Sequence, residues 1–309
     1  MNVIFKFSIV SSFLGLWITT HVPESFELVF GFILIFTFGM IHGSNDLLII
    51  DKILEKSKYY SKVSILTAYL LIVSFAILIF YWVPTLALFL FVLFSAYHFG
   101  EQHWELSFAR LNKILKSTFY FCYGLLILYL LFAFNDSGVK SIVYEITGYQ
   151  LENLYSFPVL LMLGSYVGAV LATELYFKRL STEIVLTELF SLAVLTIIFN
   201  SSSLIWGFTI YFILWHSIPS LAEQIKFVYG DFKLESTLKY CKSAAPYWII
   251  SLIGMVGLYT VFSGEKHFYS LFFAFIAAVT FPHAFVMVKM FSKKKHNHKW
   301  SCFFLINNT

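Results

Sequence analysis

Long apolar runs separated by short polar stretches divide the chain along its whole length. An α-helix needs about 20 residues to cross about 30 Å of hydrocarbon, so apolar windows of that length predict membrane-spanning helices. The sequence contains ten such windows: 3–20, 27–49, 63–82, 84–103, 115–134, 155–177, 183–200, 204–229, 244–262 and 268–291. The pattern predicts an all-α, polytopic transmembrane bundle of about ten helices.

The composition supports the same fold class. The 309 residues are 59% hydrophobic and only 12% charged, and the mean hydropathy is +0.80, values that exclude one water-soluble core. We therefore expect residues 1–291 to form a single integral membrane domain and residues 292–309 to form a basic cytoplasmic tail.

The positions of the basic residues predict the orientation of this bundle. Of the 21 Lys and Arg residues, 19 lie in the even-numbered connections and the two terminal segments, whereas the odd-numbered connections hold only Lys140 and Lys266. Cytoplasmic loops carry an excess of Lys and Arg, so this partition predicts that both termini lie in the cytoplasm. We expect a multi-pass protein of the inner, cytoplasmic membrane. The net charge of +4 then describes cytoplasmic loops facing membrane lipids and predicts no nucleic-acid partner.

Four histidines lie inside apolar windows whose predicted helices all run from the outside to the inside. They are His42, His98, His216 and His283. Each follows the outer start of its helix by 12 to 15 residues, which places all four roughly 18–23 Å from the outer face of the hydrocarbon. Ionisable residues are rare in transmembrane helices and usually mark a functional site. Four imidazoles at one depth predict one metal site, and imidazole suits iron, copper or zinc.

Acidic residues accompany three of these histidines. Asp46 follows His42 by four residues, Glu101 follows His98 by three, and Glu223 follows His216 by seven. On a continuous helix each would share a face with its histidine. We expect Asp46, Glu101 and Glu223 to orient the imidazoles or to add a ligand.

The residues alone leave other functions open. A bis-histidine haem protein would use the same histidines in facing pairs. A transporter or proton-relay protein would use Asp46, Glu101 and Glu174 with the histidines along a wet path.

Four short motifs resemble the Brp/Blh family of membrane β-carotene 15,15′-dioxygenases. They are Ile41-His42-Gly43-Ser44-Asn45-Asp46, Tyr97-His98-Phe99-Gly100, Trp215-His216-Ser217 and Thr280-Phe281-Pro282-His283. The resemblance implies an Fe²⁺ enzyme that cleaves β-carotene with O₂ into two retinals, typically for a microbial rhodopsin. It implies that His42, His98 and His216 occupy catalytic, iron-binding positions, whereas His283 joins the set from the depth argument. An apolar polyene would enter such an enzyme sideways from the lipid.

One position departs from the family pattern. The third motif usually carries a second histidine four residues after the first, and this chain has Ser220 there. Either His283, Glu223 or a water completes the site, or the chain has lost the cleavage activity. In the last case it would be a carotenoid-binding or rhodopsin-assembly protein.

Overall fold

The computed structural model describes residues 3–54, 61–105, 107–108, 111–152, 156–261 and 268–306. All regular structure within these residues is helical. The helices are α1 (Val3–His21), α2 (Glu24–Leu34), α3 (Asp46–Leu54), α4 (Lys62–Trp82), α5 (Pro84–Trp104), α6 (Lys113–Phe134), α7 (Asp136–Thr147), α8 (Phe157–Tyr176), α9 (Thr182–Ser201), α10 (Leu204–Ile210), α11 (Ile218–Tyr229), α12 (Leu234–Val261) and α13 (Phe268–Ile306). A π-helical turn over Ile35–Gly39 follows α2, and another over Tyr211–Ser217 joins α10 to α11.

The predicted polytopic membrane bundle is confirmed. Eight helices in the described part of the chain are long and apolar enough to cross a membrane. They are Val3–His21, Val63–Trp82, Pro84–Trp104, Lys113–Phe134, Phe157–Tyr176, Thr182–Ser201, Leu204–Tyr229 and Leu271–Lys294. The predicted window 244–262 coincides with α12 as far as Val261, and α12 begins ten residues earlier, at Leu234.

The prediction of one continuous helix over 27–49 is wrong. Residues 42–45 form a turn between the first π-helical turn and α3. Two side chains bond to backbone carbonyls at this point: Nδ1 of His42 to Gly39, and Oγ of Ser44 to Met40 at 2.7 Å. Such local bonds compete with the hydrogen bonds of a helix. The break puts His42 in a turn rather than on a regular helix face.

Helix α7 is an element that the hydropathy windows did not predict. It has only 12 residues, too few to span a membrane, and it buries Val139, Ile142 and Ile146 on one face. It packs against α5, α6 and α13. It therefore covers one end of the bundle.

The elements that carry the four histidines pack together at the centre of the bundle. Helix α13 contacts α3, α4 and α5, and the two π-helical turns contact each other. Helix α5 lies very close to α6 because Gly100 and Gly124 have no side chain. A Cβ at Gly100 would collide with the backbone carbonyl of Tyr120, and a Cβ at Gly124 with that of Ala96. This contact between small residues fixes the position of α5 and of its histidine.

Some of the predicted features lie outside the described residues. Lys56, Lys58, Arg110 and Lys266, which contributed to the orientation argument, are among them. Of the predicted tail, residues 292–306 continue α13 as helix, and 307–309 are outside the described residues.

Candidate functional site

The four histidines meet in one cluster. The ring centre of His42 lies 5.3 Å from that of His216 and 4.8 Å from that of His283. The ring centre of His98 lies 4.9 Å from that of His216 and 5.2 Å from that of His283. All four residues are at least 95% buried. The equal depths in the sequence predicted this convergence, and the roles of the four residues remain predictions.

Each histidine reaches the cluster from a different element. His42 comes from the turn before α3, His98 from α5, His216 from the second π-helical turn and His283 from α13. Both π-helical turns border the cluster, where they alter the helical register of the residues that follow them. Short π-helical segments are frequent at functional sites. Phe212, on the second turn, stacks on His216 with ring centres 5.5 Å apart.

Hydrogen bonds fix the ring orientation and tautomer of two histidines. Nδ1 of His42 donates to the carbonyl of Gly39, and Nδ1 of His283 donates to Oδ1 of Asp46 at 2.8 Å. Both partners accept hydrogen bonds, so each Nδ1 carries a proton, and in a neutral ring Nε2 would hold the lone pair. Nε2 of His283 is buried without a hydrogen-bond partner in the described part of the chain.

The other two histidines have still fewer polar contacts. Both ring nitrogens of His98 and both of His216 are buried, and none has a hydrogen-bond partner among the described residues. Buried polar groups are nearly always satisfied, and each exception needs an explanation such as a bound ion or ligand. The cluster therefore has donor atoms available for a group that the protein side chains do not provide.

The ring spacing fits four imidazoles around one metal ion. A metal–nitrogen bond of about 2.1 Å puts the ring centre about 3.3 Å from the ion, so neighbouring rings at about 90–110° lie about 4.7–5.4 Å apart. The four measured separations, 4.8 to 5.3 Å, fall in this range. Within the described residues, no group of three or more His, Cys, Asp or Glu side chains is already oriented to hold an ion. Rotation of the rings of His98 and His216, which no hydrogen bond holds among the described residues, would change the direction of their nitrogens and leave the ring centres nearly in place.

A cavity opens beside the four rings, enclosing about 570 Å³ of empty space, part of it open to the outside. All four histidines line it together with mostly apolar side chains. The aromatic members of the lining are Phe91, Phe99, Phe208, Phe212 and Phe275. The site therefore combines imidazole donors with walls suited to an apolar molecule.

The three acidic candidates have different positions. Asp46 contacts His283, on the facing helix, and its Oδ2 accepts a hydrogen bond from the hydroxyl of Tyr69 at 2.9 Å. Glu101 is buried on α5 beside Tyr97, and it is not among the residues that line the cavity. The carboxylate of Glu223 pairs with Lys294 and, at 3.4 Å, with Lys226, and a role for it at the histidines stays a prediction. Seven residues of helix separate Glu223 from His216 by about 10 Å along the axis.

Ser220 belongs to a buried network of neutral side chains beside the cluster. Its Oγ accepts a hydrogen bond from Nε2 of Gln224 at 3.0 Å, and Oε1 of Gln224 accepts one from the hydroxyl of Tyr240. The backbone carbonyl of Tyr240 in turn accepts a hydrogen bond from Asn45 at 2.8 Å. Sequence reasoning missed Gln224, Tyr240 and Tyr69, since no charge or spacing distinguishes them from other polar residues. The network links α11 and α12 to the turn that carries His42.

Comparison with models of known protein families gives a match. A family model described as beta-carotene 15,15′-dioxygenase matches residues 33–291, most of the chain. The chain belongs to this family. The matched region of the β-carotene 15,15′-dioxygenase family includes all four histidines, and it begins after α1. No curated protein and no solved structure gave a match.

Proposed function

We propose that this protein is an Fe²⁺-dependent enzyme that cleaves β-carotene at its central double bond with O₂ and forms two retinals. The observation that carries the proposal is the cluster of four buried imidazoles at the wall of an apolar cavity. Membership of the dioxygenase family supplies the substrate class.

Four residues would hold the iron: His42, His98, His216 and His283. Ferrous iron bound there would supply the redox chemistry with O₂, as cofactors do in oxygen-dependent enzymes. His283 would complete the set in place of the family's usual second histidine, whereas the hydroxyl of Ser220 accepts a hydrogen bond from Gln224. Glu223 is not proposed as a ligand, because it pairs with lysines.

The chain itself orients the ligands and positions the substrate. Asp46 holds the ring of His283, and the carbonyl of Gly39 holds that of His42, so that in the neutral rings Nε2 is the nitrogen left to bind iron. The aromatic walls fix the polyene beside the cluster and exclude water. In the overall reaction one carbon–carbon double bond breaks, and each carbon gains one oxygen atom from O₂. This balance requires no proton donor, and the apolar walls offer few.

The membrane setting agrees with this chemistry. β-Carotene and O₂ are both apolar and dissolve in lipid, so the substrates reach a site within the bilayer without crossing water. We place the protein in the inner membrane with both termini in the cytoplasm, on the distribution of Lys and Arg. The product retinal would serve a microbial rhodopsin.

Expression in bacterial cells that make β-carotene tests the proposal. Pigments are extracted and separated by chromatography from cells with the unmodified protein, the His42→Ala variant, or the His21→Ala variant. His21 lies exposed at the end of α1 and is the matched control. We expect retinal with the unmodified and His21→Ala proteins and none with His42→Ala. Intact β-carotene in all three cultures, with the protein present and iron supplied, would leave a binding or assembly role instead.

A further inference from the structure

A second cavity adjoins the one beside the histidines. It encloses about 720 Å³ of empty space, part of it open to the outside, and shares Phe91, Ser95, Phe99 and Phe208 with the first cavity. We call the first the histidine cavity and the second the distal chamber. The distal chamber is lined by apolar side chains apart from Ser95.

Helix α7 forms the far end of the distal chamber. Val139, Ile142 and Val143 line the chamber from this helix, and Val139 and Ile142 are at least 91% buried. The opposite end of the chamber meets the histidine cavity at the shared phenylalanines. A rod-shaped apolar molecule that extends from the histidines through the chamber would therefore stop against α7.

Two helices that both contact α7 run from the histidine cavity along the distal chamber. Helix α5 carries His98 in the histidine cavity and Leu88 in the distal chamber, and α13 carries His283 and Phe273 in the same relation. Ten residues separate each pair, which corresponds to about 15 Å along either helix. Two independent elements thus give the same length.

This length matches one half of β-carotene. An extended chain advances about 1.2 Å per bond, so the nine bonds from the central double bond to the ring cover about 11 Å, and the ring extends this to about 15 Å. If the ring rests against α7, the central double bond lies beside the four histidines.

We propose that the distal chamber binds one ring and its half of the polyene, and that α7 sets the cleavage position by stopping the ring. This inference rests on the proposed function for its substrate. Ile142 and Val139 are specificity-determining residues in this account, and they act by contact with the ring.

The lining also selects the chemical class of the ring. A hydroxyl group on a ring at the α7 end would meet the apolar side chains of Val139, Ile142 and Val143. Apolar pockets reject an added hydroxyl by a factor of about 100 at most. We expect carotenoids with an unsubstituted ring to be preferred at least about tenfold over those with hydroxyls on both rings.

Substitutions on α7 test directly whether contact with this helix sets the cleavage position. Ile142→Trp fills the end of the chamber, and Ile142→Ala enlarges it. Tyr144→Trp adds an indole to the same helix at a position that is 53% exposed and outside the chamber. We expect Ile142→Trp to shift cleavage toward the enclosed ring, giving one short and one long aldehyde, with the yield of retinal lowered at least about tenfold. Ile142→Ala should give a mixture of retinal and unequal aldehydes, and Tyr144→Trp should give two retinals.

Two measurements, of cleavage products and of co-purified β-carotene, distinguish a failure of this inference from a failure of the proposed function. Suppose that the unmodified protein forms retinal. If Ile142→Trp and Ile142→Ala then give the same products at equal protein levels, the inference that α7 sets the cleavage position is overturned. If it forms none, β-carotene that co-purifies with it is measured instead. Loss of at least about nine-tenths of that pigment in Ile142→Trp, but not in Tyr144→Trp, supports the chamber. Equal pigment in both variants, or none with the unmodified protein, overturns it.

Discussion

Nδ1 of His283 donates a hydrogen bond to Oδ1 of Asp46 at 2.8 Å, although 237 residues separate them in the chain. The bond ties α13 to the first residue of α3, and the other carboxylate oxygen accepts a hydrogen bond from Tyr69 on α4. Three helices thus determine the direction of one imidazole. A carboxylate in this position holds the ring of a metal-binding histidine and raises its basicity.

Loss of the Asp46 carboxylate should weaken iron binding. We expect Asp46→Asn to lower the affinity for Fe²⁺ about 10- to 100-fold, as for other residues that orient metal-binding histidines. Tyr69→Phe removes one donor to Asp46 and keeps the carboxylate, so its effect should be smaller. Iron titration of the purified unmodified, Asp46→Asn and Tyr69→Phe proteins measures the three affinities. Equal affinities would disprove the role of Asp46.

Ser220 and His283 should respond differently to substitution by alanine. His283→Ala removes a proposed ligand, and we expect the purified protein to retain little iron. Ser220→Ala removes only the hydroxyl that accepts from Gln224, at a cost of about 1 kcal/mol in stability. Its iron content should equal that of the unmodified protein. The number of iron atoms per chain, measured by mass spectrometry, is compared between the two variants. Loss of iron from Ser220→Ala would show that Ser220 is an iron ligand.

The close contact between α5 and α6 should not tolerate a larger residue. Gly100→Ala would force a methyl group into the backbone carbonyl of Tyr120, and we expect it to destabilise the protein by about 1–3 kcal/mol or more. Gly164→Ala is the matched control, since a Cβ at that position on α8 meets no atom within 4 Å. Thermal denaturation in detergent gives the comparison. Equal melting temperatures would show that α5 can move, and the position of His98 would then need another explanation.

The sequence predicted the convergence of the histidines because helical rise converts residue offsets into depth. It did not predict the turn at residues 42–45, since the bonds from His42 and Ser44 to nearby carbonyls depend on local geometry rather than on hydropathy. Asp46 was expected to orient an imidazole on its own helix or on a facing one, and it contacts His283 on the facing helix α13. Helix α7 is too short for a hydropathy window, and its position depends on contacts with α5 and α13 as well as with its neighbour in the chain, α6.

Glu223 illustrates a limit of helical periodicity. Spacing by seven residues predicts a shared face, but it does not predict which charged residues of other helices lie near the end of that helix. In the structure Lys294, from the last part of α13, pairs with Glu223. Long-range pairing of this kind is not visible in a single sequence.

The most direct test of the account measures the products of the purified protein. The protein is incubated with β-carotene and O₂ after loading with Fe²⁺, and retinal formed is divided by β-carotene consumed. We predict two retinals per β-carotene, with no turnover after iron removal and recovery when Fe²⁺ is restored. Turnover that persists without iron, or consumption of β-carotene without retinal, would contradict the account.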